Sequence, residues 1–395
     1  MSQKREVVVV GGARTAIGSF GGGLKDIAPC ELGAHVVKEA IARAQVDPAR
    51  IGHLVMGNVV QGERRDMYVS RVAALNAGLV PESCALTLNR LCGSGFQAIV
   101  SAAQSILLGD TDVAVGAGVE SMSRGGYLMP GARWGARMGD AQLVDMMVGA
   151  LTDPFSPNHM GITAENLATK WNISRAEQDQ FALESQQKAV AAIAAGHFKS
   201  QIVPVEIKTR KGMVQFDTDE YPKADASLEG MAKLKPAFKK DGSVTAGNAS
   251  GINDGAAAVV LMEAQAAAAA GLKPLARMVS YGIAGVDPNY MGEGPIPAVK
   301  LALQRAGLGV NDIDVIESNE AFAVQSLCVS KALGFDPAKV NPNGGAVALG
   351  HPIGATGVIL TIKCIYELQR TGKRYGLVTM CIGGGQGIAG VFERL

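Results

Sequence analysis

Four short stretches of this 395-residue chain hold groups that can do chemistry. "NRLCGSGF" places a cysteine, Cys92, directly ahead of Gly-Ser-Gly, and "ESNEAF" carries Asn319. "GHPIGATG" carries His351, and "VTMCIGGGQG" ends in Cys381 followed by Gly383, Gly384 and Gly385. After Cys92 the residues Phe96, Ile99, Val100, Ala103, Ile106 and Leu107 recur at the spacing of one buried helix face. The thiol is therefore expected at a helix N-terminus, among backbone N–H groups that have no partner within the helix. Facing an imidazole there, it is expected to ionise more easily than an ordinary thiol and to act as a nucleophile. Glycine-flanked N–H groups suit a developing oxyanion. A second thiol, tuned by burial and neighbours, suits proton transfer to or from carbon.

Each group also has a plainer reading. Most lone cysteines are small buried hydrophobes. An asparagine ahead of "EAF" is a natural helix N-cap, His351 before Pro352 suits a satisfied turn, and the glycines suit a tight turn. Cys92, Cys381 and His351 are also conceivable metal ligands, but they include no close-spaced pair and their surroundings are rich in glycine instead of further ligands. "GGARTAIG" lacks the G-x-G-x-x-G spacing of a dinucleotide loop.

The order of elements favours chemistry. "RAQVDPARIGHLVMGN" (43–58) resembles "RAGLGVNDIDVIESN" (305–319), and residues 92–118 echo residues 351–385 as Gly-rich turn, helix, Gly turn and strand. Repeats this long, with alternating strands and helices, indicate a duplicated α/β domain. Cys92 and His351 occupy equivalent places in the two copies, so a pseudo-twofold axis brings them face to face. Residues 1–120 with 253–273 form the first half, 274–395 the second, and 121–252 an insertion in the first. The insertion holds a helix capped by Ser174 with Glu177, six of the 15 methionines between residues 122 and 160, and a basic stretch, 199–240. Nine Lys and Arg against six Asp and Glu in that stretch suit a solvated face.

Bulk properties narrow the classes. Apolar residues make up 48% of the chain and the net charge is +1, which points to a globular protein with neither nucleic-acid nor membrane-surface partners. No apolar run approaches the roughly 20 residues of a membrane span. The strand pattern begins at "VVVVGG", which leaves no room for a leader, and six cysteines without C-x-x-C spacing suit reduced thiols. A cytoplasmic setting is expected.

In this order and spacing, "NRLCGSG", "NEAF", "GGAVALGHPIGATG" and "CIGGGQG" resemble the thiolase family, with "RTAIGSFGG", "NHMGITAEN" and "TAGNASGINDGAA" in support. The resemblance spans essentially the whole chain and is nearest to biosynthetic-type acetyl-CoA acetyltransferases and bacterial β-ketothiolases. It implies a thiolase fold: two duplicated α-β-α halves with mixed sheets and an inserted loop domain. It also implies reversible joining of two acetyl-CoA to acetoacetyl-CoA by a ping-pong route. Cys92 would carry the acyl group, His351 take its proton, and Cys381 exchange the α-proton. His351 with a water on Asn319 would form one oxyanion site, and the N–H groups of Cys92 and Gly383 the other. Coenzyme A enters as substrate and product, with no metal or redox cofactor. Leu151, His159, Met160, Ala246, Ser250, Met291, Ala321 and Phe322 match pantetheine-lining positions, and Lys223 a cation near the nucleotide. Glu293 and Pro222 depart from the family pattern at positions where a change could alter CoA affinity without touching the chemistry. "SRGGYLMPGARWGARMGD" resembles the excursion that joins dimers into a homotetramer. A 3-ketoacyl-CoA thiolase of longer chain preference, a non-catalytic acyl-CoA or lipid carrier, and a fatty-acid or polyketide condensing enzyme are the alternatives. The second thiol, Cys381, speaks against the last.

Overall fold

The computed structural model describes residues 5–210 and 212–395. Lys211 of the basic stretch and the first four residues lie outside it. The first half supplies strands β1 (Val7–Arg14), β2 (His53–Gly57), β3 (Cys84–Leu88), β4 (Val113–Ser121) and β5 (Asn253–Glu263). The second half supplies β6 (Ala276–Gly285), β7 (Val315–Ser318), β8 (Tyr375–Ile382) and β9 (Gln386–Arg394).

These strands lie side by side in the order β7-β8-β9-β6-β1-β5-β4-β2-β3. The halves meet where Val8 pairs with Arg277 and Val9 with Ala276. Outward from that junction each half repeats one pattern, two antiparallel pairings and then a parallel one. β3 adds a fifth strand to the first half, whereas its counterpart in the second has shrunk to one bridge between Ile316 and Val340.

Alternation along "VVVV" fixes which layer each face meets, because successive strand side chains point to opposite sides. Val7 and Val9 join a central core, while Val8 and Val10 pack beneath helix α1 (Pro29–Ala44). In the second half Val378 and Met380 reach the same central core, and Leu377 faces outward. The central layer holds helices α2 (Ser94–Leu108) and α6 (Thr356–Thr371), the equivalent helices of the two copies. The segment Leu91–Leu108 is long and apolar enough to match a membrane span, yet it is the helix at the middle of the core, with Phe96, Ile99 and Ile106 fully buried.

Close approach of these two helices at their N-termini depends on glycine. A Cβ on Gly357 would stand 2.2 Å from the backbone nitrogen of Phe96, and one on Gly95 would stand 2.9 Å from the carbonyl oxygen of Gly354. The turns just ahead, carrying Cys92 and His351, are thereby pressed together.

The insertion contributes α3 (Met160–Lys170) and α4 (Arg175–Ala194), with α5 (Pro295–Ala306) following in the second half. α4 opens with the expected capping box, Ser174 and Glu177 each accepting the other's backbone N–H. The insertion is tied to β1 by fully buried Arg14, whose Nη1 and Nη2 donate to Asp219 at 2.7 and 2.9 Å while Nε donates to Gln201 at 3.2 Å. Glu293 faces the C-terminal end of α3. It accepts from Lys170 Nζ and from Trp171 Nε1 at 2.8 Å, tying α3 to the second half.

Replacing glycine by alanine inside a helix ordinarily stabilises it by about 0.5–1 kcal/mol. Gly357→Ala is expected to do the opposite, lowering stability by about 1–3 kcal/mol through the clash with Phe96. Denaturant unfolding measures the sign.

Candidate active site

A cavity of about 290 Å³ opens where the insertion meets the joined helix N-termini, and Cys92, His351 and Gly383 line it. Leu151, His159, Met160, Ala246, Ser250, Met291, Ala321 and Phe322 line it too, together with Leu91, Met122, Phe238 and Ile353. Lys223 does not reach this space. It borders a second cavity of about 200 Å³ that shares the wall at Ala246. Cys381 and Asn319 are fully buried just behind the wall, Cys381 packing in one apolar cluster with Met160, Met291, Ala321 and Phe322.

Local sequence explains each placement. Cys92 sits two residues ahead of α2, in a turn where Leu91 has φ of +45°. That backbone conformation costs a non-glycine residue of order 1–3 kcal/mol. It is held by Asn89 Oδ1, which accepts Leu91 N–H at 2.9 Å, and by Ser94 Oγ, which donates to the Leu91 carbonyl at 2.7 Å. Gly384 and Gly385, at φ of +82° and +85°, turn the chain sharply between β8 and β9 and present the Gly383 N–H to the Cys92 sulfur. Asn319 follows β7, but the next helix starts at Ala323 with Phe322 as its N-cap, so Asn319 caps nothing.

His351 is fixed by three polar contacts. Its backbone N–H donates to Asn253 Oδ1 at 2.9 Å, Nδ1 lies 2.7 Å from Thr356 Oγ1, and Nε2 lies 3.4 Å from Asn319 Nδ2. Thr356 Oγ1 donates its own proton to the Pro352 carbonyl at 3.0 Å, so Nδ1 must be the donor to Thr356. This network assigns the tautomer and leaves Nε2 unprotonated. Burial pushes the imidazole down to about 4, so His351 is neutral near pH 7, with the Nε2 lone pair free to accept a proton. The Asn319 Oδ1 atom is buried without a hydrogen-bond partner among the described residues.

The thiol differs from expectation. Burial pushes Cys92 up to about 11; the Gly383 and Cys92 N–H groups pull it down, and the Glu120 charge adds to the rise. Desolvation outweighs the helix N-terminus, and a neutral imidazole supplies no cation to oppose it. The expected easy ionisation is corrected to a resting thiol. Burial lifts Cys381 well above the ordinary value as well, and the neighbouring Cys92 adds to the effect.

Sequence reasoning missed the residues beneath these groups, above all Glu120. This fully buried carboxyl group, pushed up to about 8 by burial against the pull of its backbone donors, accepts from Val60 N and Asn58 Nδ2 on one oxygen, at 2.9 and 3.1 Å. Its other oxygen accepts from Val59 N and Gly354 N at 3.1 and 2.8 Å. A signal existed in the repeats. Gly57 pairs with Gly118 and Ser318 with Thr379, so Asn58 is the counterpart of Asn319 and Glu120 that of Cys381. Among the described residues no group of three or more His, Cys, Asp and Glu is arranged to hold a metal ion.

Since the Cys92 thiol holds its proton to about pH 11, its alkylation by iodoacetamide in the free protein is expected to keep rising past pH 9, with no plateau near pH 7. Quantifying the modified Cys92 peptide separates it from exposed Cys84.

Residues 7–265 match the family model described as "Thiolase, N-terminal domain", and residues 272–394 match "Thiolase, C-terminal domain". "Beta-ketothiolase BktB" of Cupriavidus necator is 67% identical over 392 residues, covering 99% of this chain and all of its own length. The crystal structure of the Bacillus anthracis acetyl-CoA acetyltransferase superimposes with a TM-score of 0.98 at 46% identity, covering 100% of both chains. That of human mitochondrial 3-ketoacyl-CoA thiolase in complex with CoA superimposes with a TM-score of 0.96 at 44% identity, covering 99% of this chain and 98% of the other. With the family models spanning nearly its full length and a duplicated fold to match, the chain belongs to the thiolase family.

Proposed function

We propose that the protein is an acetyl-CoA C-acetyltransferase that reversibly joins two acetyl-CoA into acetoacetyl-CoA and CoA through an acyl group carried on Cys92. The observation that carries this reading is the convergence of Cys92, His351 and Gly383 on one cavity, with Cys381 and Asn319 behind its wall. The resting thiol and the neutral imidazole imply a concerted start. As Cys92 Sγ attacks the thioester carbonyl, its proton passes to His351 Nε2 and then to the departing CoA sulfur. No free thiolate accumulates. In the second half-reaction the Cys381 proton passes to His351 Nε2 as Cys381 Sγ takes the α-proton of acetyl-CoA. The enolate oxygen is then held by the protonated His351 Nε2 and by a water on Asn319. The enolate carbon attacks the acyl-Cys92 carbonyl, whose oxygen is received by the N–H groups of Cys92 and Gly383. Cys92 leaves as the thiol with the proton from His351 Nε2, and Cys381 keeps the α-proton as its own thiol.

The thioester supplies the activation, so this scheme uses no metal or redox cofactor beyond CoA itself. The pantetheine arm fits the apolar walls formed by Leu151, Met160, Met291 and Phe322, with His159 stacked on Phe238 at 4.6 Å. Lys223 borders the cavity beyond the shared wall at Ala246, and in this reading it meets phosphate as a point charge, less directionally than an arginine fork. A second reading, a ketoacyl-CoA thiolase accepting longer chains, is favoured by the 67% identity to a protein named β-ketothiolase. A further cavity of about 540 Å³ beyond Leu91 and Met160 also favours it. The excursion before α3 exposes Tyr127, Leu128, Trp134 and Met138, apolar surface that suits an interface, and we infer a homotetramer. Light scattering is expected to return four copies per particle.

Intact mass after exposure to acetyl-CoA is expected to show one acetyl adduct, lost in Cys92→Ala. In Cys381→Ala the adduct is expected to form while acetoacetyl-CoA synthesis falls at least about a hundredfold. Equal loss of both would remove the role given to Cys381. Thiolysis rates across ketoacyl-CoA esters from four to ten carbons choose between the two readings.

A further inference from the structure

We propose that Glu120 is a positioning residue for acyl transfer: its carboxylate clamps the backbone of the turn that carries His351 and so sets the imidazole against the Cys92 sulfur. This rests on the acyl-cysteine reading above and adds to it a residue that touches neither substrate nor reacting atom.

The clamp crosses the boundary between the halves. Glu120 stands at the end of β4, on the same half as Cys92, and the Gly354 N–H it accepts at 2.8 Å lies three residues beyond His351 on the other half. The contact is tight enough that a Cβ on Gly354 would stand 2.6 Å from Glu120 Oε2. All four partners of the carboxylate are donors: Asn58 Nδ2 and the backbone N–H groups of Val59, Val60 and Gly354. Two acceptor oxygens satisfy that ring, whereas an amide would turn an NH2 group against two of the donors. Upstream, Glu320 Oε2 accepts the Val347 N–H at 3.1 Å, and Asn253 Oδ1 accepts the N–H of His351 itself. The turn is therefore gripped before, at and after the histidine. Of the three grips, Glu120 alone also holds the Asn58–Val60 loop, through three of its four bonds. Where the second half places the thiol of Cys381, the first half has turned a carboxylate onto backbone.

Displacing a catalytic group by about 1 Å costs about a hundredfold in rate. The test times acetyl transfer to Cys92 by rapid-quench mass spectrometry in the wild-type enzyme, Glu120→Gln and Glu120→Asp, with KM for acetyl-CoA and thermal unfolding measured alongside. Glu120→Asp keeps the charge but withdraws it by one methylene, which covers the case in which the amide variant folds poorly. Both variants are expected to acylate about a hundredfold more slowly with KM changed by less than about threefold, the pattern of a lost transition-state alignment. Acylation at the wild-type rate in either folded variant overturns the assignment, as does a rate that falls only in step with the folded fraction. Absence of any adduct in the wild-type enzyme would instead remove the acyl-cysteine reading itself.

Discussion

Two helix N-termini lie against each other at the centre of this molecule, and the missing side chains of Gly95 and Gly357 let them do so. Every later feature of the site depends on that contact. It sets the turn before α2 beside the turn before α6, so that a thiol from one copy of the duplicated unit and an imidazole from the other line one cavity. It also leaves Cys381 and Asn319 fully buried and Cys92 half-buried at that cavity. The sheet junction at Val8 and Val9 holds the half-sheets in line behind the helices, and the alternation of β1 supplies apolar cover on both faces.

Exclusion of water has a price in reactivity. Both thiols are held in their protonated form and the histidine in its neutral form, each through burial. On the acyl-cysteine reading proposed above, such a site is quiet until a thioester enters, whose carbonyl the sulfur attacks and whose oxyanion the Cys92 and Gly383 N–H groups receive. Charge then forms inside a dry, preorganised setting in which each hydrogen bond counts for more than it would in water. The same desolvation protects the thiols between turnovers, because a thiol is far less prone to alkylation or oxidation than a thiolate.

Much of this was legible in the sequence, for identifiable reasons. The helix after Cys92 showed itself through its apolar spacing, the duplication through matched turns and strands, and the capping box of α4 through Ser174 and Glu177. The readings that failed were those of environment. The acidity of Cys92 depends on how much solvent its surroundings exclude, which residue spacing does not report. The link from Glu293 to Lys170 and Trp171 was equally illegible, because residue spacing does not report which side chains meet across the chain. Glu120 escaped notice because its partners are mostly backbone N–H groups, which carry no sequence signature. Its place emerged only from strand register.

The buried pair of Arg14 and Asp219 bears on how such a protein can be remodelled. Arg14 ends the first strand of the duplicated core, yet the carboxylate that neutralises it comes from the insertion. Replacing Asp219 alone would strand a buried guanidinium without its counter-ion, a loss of about 3–5 kcal/mol. Excising the whole insertion would also strip Gln201 and Phe198 from Arg14 and bare the end of β1. The insertion is thus no detachable accessory. Trimming this chain toward its duplicated core would first require new cover at position 14.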